Sequence, residues 1–139
     1  MNNSPFNICI VDDDDIYQFT MVKILESLKL QKKIIAFSDG EEALDFILDN
    51  LEKDHELPDV IFLDINMPIM DGFQFMDEYV KIKLNLTKKI TIYMVSSSVD
   101  PVDIEKAKGI SDISDYIIKP IKPGQLKSIM TEMEESGRL

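Results

Sequence analysis

The sequence predicts a doubly wound α/β fold, and three observations predict it. Short apolar runs of strand length recur along the chain, among them Ile8–Val11, Val60–Leu63, Ile90–Val95 and Tyr116–Ile118. Runs of that length bounded by turn residues are strands buried on both faces of a parallel sheet. Stretches with helical spacing alternate with them, as in successive βα units. These four runs also end on polar residues: Asp12 and Asp13, Asp64, Ser96, and Lys119. In an open α/β sheet, ligands bind beyond the carboxyl ends of the strands, so acids, a hydroxyl and an ammonium converge on one edge.

Five strands are expected near residues 7–11, 33–37, 59–64, 90–95 and 113–118. In the first helix Met21, Ile24, Leu25 and Leu28 fall at i, i+3, i+4 and i+7, one face of a 3.6-residue period. Leu44, Ile47, Leu48 and Leu51 repeat the pattern after the turn at Asp39-Gly40. Phe73, Met76 and Val80 share a face behind Asp71, a fitting N-cap. The last helix carries Leu126, Ile129, Met130 and Met133. The fourth, roughly 101–109, has only Val102, Ile104 and Ala107 as apolar residues and reads as a short surface helix. Right-handed crossovers then place helices on both faces of a mostly parallel five-stranded sheet.

Composition bounds the function. A chain of 139 residues with 45% apolar and 29% charged side chains buries a core as one domain. No apolar run approaches the ~20 residues that span a bilayer, and the start, Met1 to Pro5, has neither a basic region nor an apolar signal core. The one cysteine, Cys9, lies within an apolar strand as a small reduced core residue, which fits a cytoplasmic location. A net charge of −11 argues against nucleic acid and anionic membrane as partners, and leaves proteins or cations.

Asp12, Asp13, Asp14 and Asp15 form an acidic run. The following helix explains Asp14 and Asp15, because acids are favoured in a first helical turn. Asp12 and Asp13 sit where a buried strand stops, and Asp64 ends another. Carboxylates packed together repel and call for a cation. Hard oxygen ligands suit Mg²⁺, whereas the strand-buried Cys9 and His55, a loop residue in the polar stretch Glu52–Glu56, argue against zinc. With Mg²⁺ in place, Asp64 becomes a nucleophile toward phosphorus that forms an acyl phosphate. Ser96 and Lys119 then supply donors to the phosphoryl oxygens. Singly, Ser96 is an ordinary turn residue and Lys119 an ordinary surface lysine; their joint placement at strand ends carries the weight. The Lys119-Pro120 bond is expected to be a trans turn, although a cis bond there would aim Lys119 back over the edge.

The same residues resemble the response-regulator receiver domain, the phosphoacceptor half of two-component signalling. The matching pieces are Ile10-Val11-Asp12-Asp13, Leu63-Asp64-Ile65-Asn66-Met67-Pro68 with Met70-Asp71-Gly72, Val95-Ser96-Ser97, and Tyr116-Ile117-Ile118-Lys119-Pro120. They cover roughly residues 6–135. The resemblance implies the flavodoxin-like strand order 2-1-3-4-5 that chemotaxis receivers share. It implies Asp64 as phosphoacceptor, and Mg²⁺ held by Asp13, Asp64 and the Asn66 carbonyl, with Asp12 acting mainly through water. Ser96 and Lys119 would contact the phosphoryl group. Tyr116 would turn inward as Ser96 moves, carrying the signal to the face of helix four, strand five and helix five. Asn66 and Ser98 occupy positions that in this family influence how fast the acyl phosphate hydrolyses. The stretches Asn50–Pro58 and Lys83–Lys89 are longer than minimal and have no functional reading.

About one helix follows Lys119-Pro120, so a single receiver domain over residues 1–139 without an output module is expected. Its partners are then proteins: a histidine kinase or histidine phosphotransfer protein upstream, and a target bound by contact or by phosphorelay downstream. It is not an enzyme in the usual sense, but a phosphoacceptor that assists its own phosphorylation and dephosphorylation. An aspartate-dependent phosphohydrolase would want a second Asp two residues after Asp64, where this chain has Asn66. A receiver-like binding module that is never phosphorylated would not need the phosphate-handling side chains that are all present.

Overall fold

A computed structural model describes residues 5–30 and 32–135. The Met1–Ser4 stretch, read above for its lack of a leader, lies outside them, as do residue 31 and residues 136–139. Five strands, β1 (Phe6–Val11), β2 (Lys32–Phe37), β3 (Val60–Leu63), β4 (Thr91–Ser96) and β5 (Ile113–Ile118), form one sheet in the order β2-β1-β3-β4-β5. Every neighbouring pair is parallel. Five α-helices alternate with them: α1 (Asp15–Glu26), α2 (Gly40–Asp49), α3 (Gly72–Ile82), α4 (Pro101–Lys108) and α5 (Pro123–Met133). The expected fold class and strand order hold, and the expected strands lie within a residue or two of the observed ones.

The period-two alternation of the strands divides the core into two layers. Cys9, Val11, Ile61, Leu63, Ile92 and Met94 face Ala43, Ile47, Phe75, Met76, Tyr79 and Ala107, the inward residues of α2, α3 and α4. Ile8, Ile10, Val60, Phe62, Tyr93 and Val95 face Met21, Leu25, Leu126, Met130 and Met133 of α1 and α5. Each fully buried side chain of this size contributes about 1.5–3 kcal/mol. The central strands β1 and β3 are buried along their whole length, whereas the edge strands β2 and β5 are only partly so.

Three expectations need correction. In α3 the buried stripe is Phe73, Phe75, Met76 and Tyr79, while Val80 is 40% exposed. Tyr79, four residues after Phe75 and three after Met76, keeps to the sheet-facing stripe, and Val80 falls one position off it. In α2, Ala43 joins Leu44 and Ile47 in the core, and Leu48 faces outward. The Lys119-Pro120 peptide is cis, against the trans default; the trans preference of an X–Pro bond is only ~0.5–1 kcal/mol, small enough for tertiary context to override.

The two long stretches, which carried no functional reading, have a structural role. They are fastened to each other at the amino-terminal end of the sheet. Lys88 Nζ pairs with the buried Asp59 at 2.8 Å and donates to the carbonyls of Asp54 (2.8 Å) and Leu57 (2.9 Å). The Thr87 hydroxyl donates to Asp54. From β1, Asn7 donates its amide to Asp59 (2.7 Å) and its side chain to the His55 and Leu57 carbonyls.

Candidate functional site

The carboxyl ends of β1 and β3 place the acids. The ladder continues one residue past each strand, through the Asp12 amide to the Phe37 carbonyl (3.0 Å) and the Asp64 amide to the Val11 carbonyl (2.9 Å). Asp12 and Asp64 are therefore held by backbone on either side of the same cleft, 2% and 6% exposed. Asp13 points to solvent. Asp12, Asp13 and Asp64 each offer an oxygen within 4.8 Å of the others, a carboxylate set suited to a hard divalent cation. Asp14 is used locally: it caps α1, accepting from the amides of Ile16 (3.0 Å) and Tyr17 (3.1 Å). Asp15 lies in the first turn of that helix.

Beyond Asp64 the chain folds back tightly. The Gly72 amide donates to the Ile65 carbonyl at 2.8 Å, which brings the start of α3 against the backbone of Asp64 and Ile65. A Cβ at Gly72 would stand 2.3 Å from the Asp64 carbonyl oxygen, so only glycine permits this approach. Asp71 caps α3 in a capping box with Gln74. Just before Asp71, Ile69 adopts φ 68°, and the Met70 amide closes on the Pro68 carbonyl at 2.7 Å, a γ-turn with positive φ at a β-branched residue.

Lys119 enters from β5, whose end is tied to β4 by the Lys119 amide on the Ser96 carbonyl (2.9 Å). Its ammonium lies 2.6 Å from Asp12 Oδ2 and 3.5 Å from Asp64 Oδ2. Ser96, fully buried at the end of β4, accepts from the Ser98 amide through its hydroxyl (3.2 Å). The structure thus gathers Asp12, Asp13, Asp64 and Lys119 into one cluster, with Ser96 at the neighbouring strand end. Asn66 is exposed on the loop after Asp64. Tyr116 stands apart from the acids. Its hydroxyl donates to the Ser98 carbonyl at 2.8 Å, so it is already fastened to the loop between β4 and α4.

Burial sets the electrostatics. Desolvation raises the Asp64 carboxyl to about 6, and the charge of Asp12 adds to this; Lys119 and the Ile65 amide offset only part of it. Burial raises Asp12 as well, against the hydrogen bond from Lys119. Burial works against a charged Lys119, but its hydrogen bond to Asp12 and the charge of Asp64 outweigh that and raise it.

Two residues of the site escaped the sequence reading. Gln18 donates to the carbonyls of Asp12 (2.5 Å) and Phe37 (2.9 Å), pinning α1 to the strand ends. Tyr17 lays its ring beside Lys119, with the ammonium 4.4 Å from the ring centroid. Both stand in the first turn of α1, two and three residues past the acidic run, where side chains lean back toward the strand end.

A doubly wound sheet whose strand ends gather carboxylates, a serine and a lysine presents groups chemically suited to a cation and a phosphoryl group at that edge. The chain matches the response regulator receiver domain over residues 8–131 and belongs to that family. It is thereby homologous to the receivers of two-component signal transduction, in which phosphorylation on aspartate and a divalent cation in an acidic pocket are typical. It is 26% identical to a probable methanogenesis regulatory protein FilR2 of Methanothrix harundinacea, over 94% of this chain and 83% of that one. It is 31% identical to the two-component response regulator ARR12 of Arabidopsis thaliana over 93% of this chain, but spans only 20% of that protein. Among solved structures, a two-component response regulator from Cytophaga hutchinsonii superposes with a TM-score of 0.82 at 25% identity, covering 96% of this chain and 99% of that one. The phosphorylated cyanobacterial phytochrome response regulator RcpA superposes with a TM-score of 0.75, also at 25% identity, over 94% and 92% of the two chains.

Proposed function

We propose that this receiver takes a phosphoryl group onto Asp64 from a histidine kinase or a histidine phosphotransfer protein, with Mg²⁺ as cofactor. The observation that carries this reading is the convergence of Asp12, Asp13 and Asp64 with the Lys119 ammonium, which bridges Asp12 and Asp64. The donor set fits Mg²⁺, with Asp13, Asp64 and the Asn66 carbonyl as ligands and Asp12 acting mainly through water. Bound there, Mg²⁺ supplies charge neutralisation for the incoming phosphoryl oxygens.

A carboxylate oxygen of Asp64 attacks phosphorus in line. The new O–P bond forms as the N–P bond to the donor imidazole breaks, and the nitrogen leaves with the electron pair. Lys119 turns from Asp12 to a phosphoryl oxygen, and the Ser96 hydroxyl donates to another. Tyr116 then reports the change to the face formed by α4, β5 and α5, because its hydroxyl holds the loop that begins at Ser96. Phosphorylation adds close to two negative charges, enough to bias such a loop.

The protein is a substrate that assists its own phosphorylation and dephosphorylation, not an enzyme in the usual sense. We place it in the cytoplasm, passing its signal by contact with a protein target or by phosphorelay. No helix among the described residues is long and apolar enough to cross a membrane, and the −11 charge disfavours nucleic acid.

Titration with beryllofluoride and Mg²⁺, followed by amide NMR, tests the site. Saturable shifts are expected at Ser96, Tyr116 and Lys119 in the wild type and not in Asp64→Asn. Shifts that persist in Asp64→Asn would remove Asp64 from the acceptor role.

A further inference from the structure

Lys119 is held from three sides, and two of them are the carboxylates of Asp12 and Asp64. The third is the ring of Tyr17, 4.4 Å from the ammonium. The lysine side chain is only 15% exposed, so the ring meets a largely desolvated cation, the setting in which cation–π attraction is strongest. The Tyr17 phenol oxygen is shut off from solvent, and burial, then the charge of Asp12, push its pKa up and keep it neutral. What Tyr17 offers Lys119 is its ring, with the ammonium beside the ring centroid.

The surroundings give the ring a task. Asp13, Asp14 and Asp15 are exposed on the rim beside Asp12. The Lys119 stem is flexible and its ammonium a point charge, so a ring standing beside it narrows the positions it can take among these acids. We infer that Tyr17 is a positioning residue for phosphoryl transfer, its ring confining the Lys119 ammonium to the space over Asp12 and Asp64. The inference rests on the phosphoacceptor reading of Asp64.

The test uses acetyl phosphate with Mg²⁺, from which the acetate oxygen leaves with the electron pair as the Asp64 O–P bond forms. Rates of phosphoryl uptake are followed by intact mass. Tyr17→Leu is expected to slow uptake by roughly three- to tenfold, the factor that an attraction of this class carries. Tyr17→Phe, which keeps the ring, restores the rate to within about twofold. In a Lys119→Met background Tyr17→Leu has no further effect. A wild-type rate in Tyr17→Leu, a rate in Tyr17→Phe as low as in Tyr17→Leu, or an undiminished effect without Lys119 would each overturn the inference. Failure of the wild type to take up a phosphoryl group at all counts against the acceptor reading instead. NMR of the Lys119 ε-methylene protons then tests the placement directly. They should be shifted upfield by the ring current in wild type and Tyr17→Phe; unshifted protons in the wild type would refute the contact whatever the variants do.

Discussion

Replacing Asp64 by asparagine should stabilise the fold in the absence of divalent cations. Asp64 is buried, with its side chain 8% exposed, and its carboxyl is raised from the ordinary 3.8 to about 6. Burial is the larger cause and the charge of Asp12 the next. The folded protein therefore holds this proton more tightly than the unfolded chain does. Stability falls as pH rises from about 4 to about 6, and the penalty is complete above that window. A shift of this size is worth about 3 kcal/mol at neutral pH. Asparagine keeps the shape and removes the charge, so Asp64→Asn should gain about 2–3 kcal/mol at pH ~7.5 and nearly nothing at pH ~4. Urea unfolding followed by circular dichroism, in chelator, at both pH values measures it. Mg²⁺ at about a hundred times its Kd should add about 2.7 kcal/mol to the wild type and much less to the variant, closing the gap. A variant no more stable than wild type at neutral pH, or a gap unchanged between the two pH values, would refute the electrostatic reasoning.

Other parts of the structure make equally definite claims. Ile69→Gly should raise stability by about 0.5–1 kcal/mol in urea unfolding, because Ile69 is 73% exposed and strained at φ 68°. Gly72→Ala should cost about 2–3 kcal/mol and weaken Mg²⁺ binding by calorimetry, since the new Cβ displaces the Asp64 backbone. Lys88→Met should cost about 3 kcal/mol in thermal or urea unfolding by leaving Asp59 buried without its ammonium. A loss below about 0.5 kcal/mol would show that this cluster does not fasten the two loops.

Much of this was legible in the chain because parallel strands write themselves as continuous apolar runs. Where such a run stops at Asp12, Asp64, Ser96 or Lys119, topology alone places the residue on the ligand edge. Strand order was carried by the receiver resemblance, since hydrophobic period says nothing of which strands are neighbours. Val80 was misplaced because a helix stripe read from a few apolar residues is uncertain by one position, and Tyr79, amphipathic, hides its membership. Tyr17 and Gln18 were missed because their roles are set by where α1 lies on the strand ends, not by their own type. The long loops were opaque for a similar reason. Lys88 and Asp59 each read as surface charge until the fold closes one over the other.

The central claim is that Asp64 is a Mg²⁺-dependent phosphoacceptor, and intact-mass analysis after incubation with acetyl phosphate tests it most directly. A single labile phosphoryl adduct, present with Mg²⁺, absent with chelator and absent in Asp64→Asn, is the predicted result. An adduct that survives in Asp64→Asn, or one that forms equally well in chelator, would contradict it.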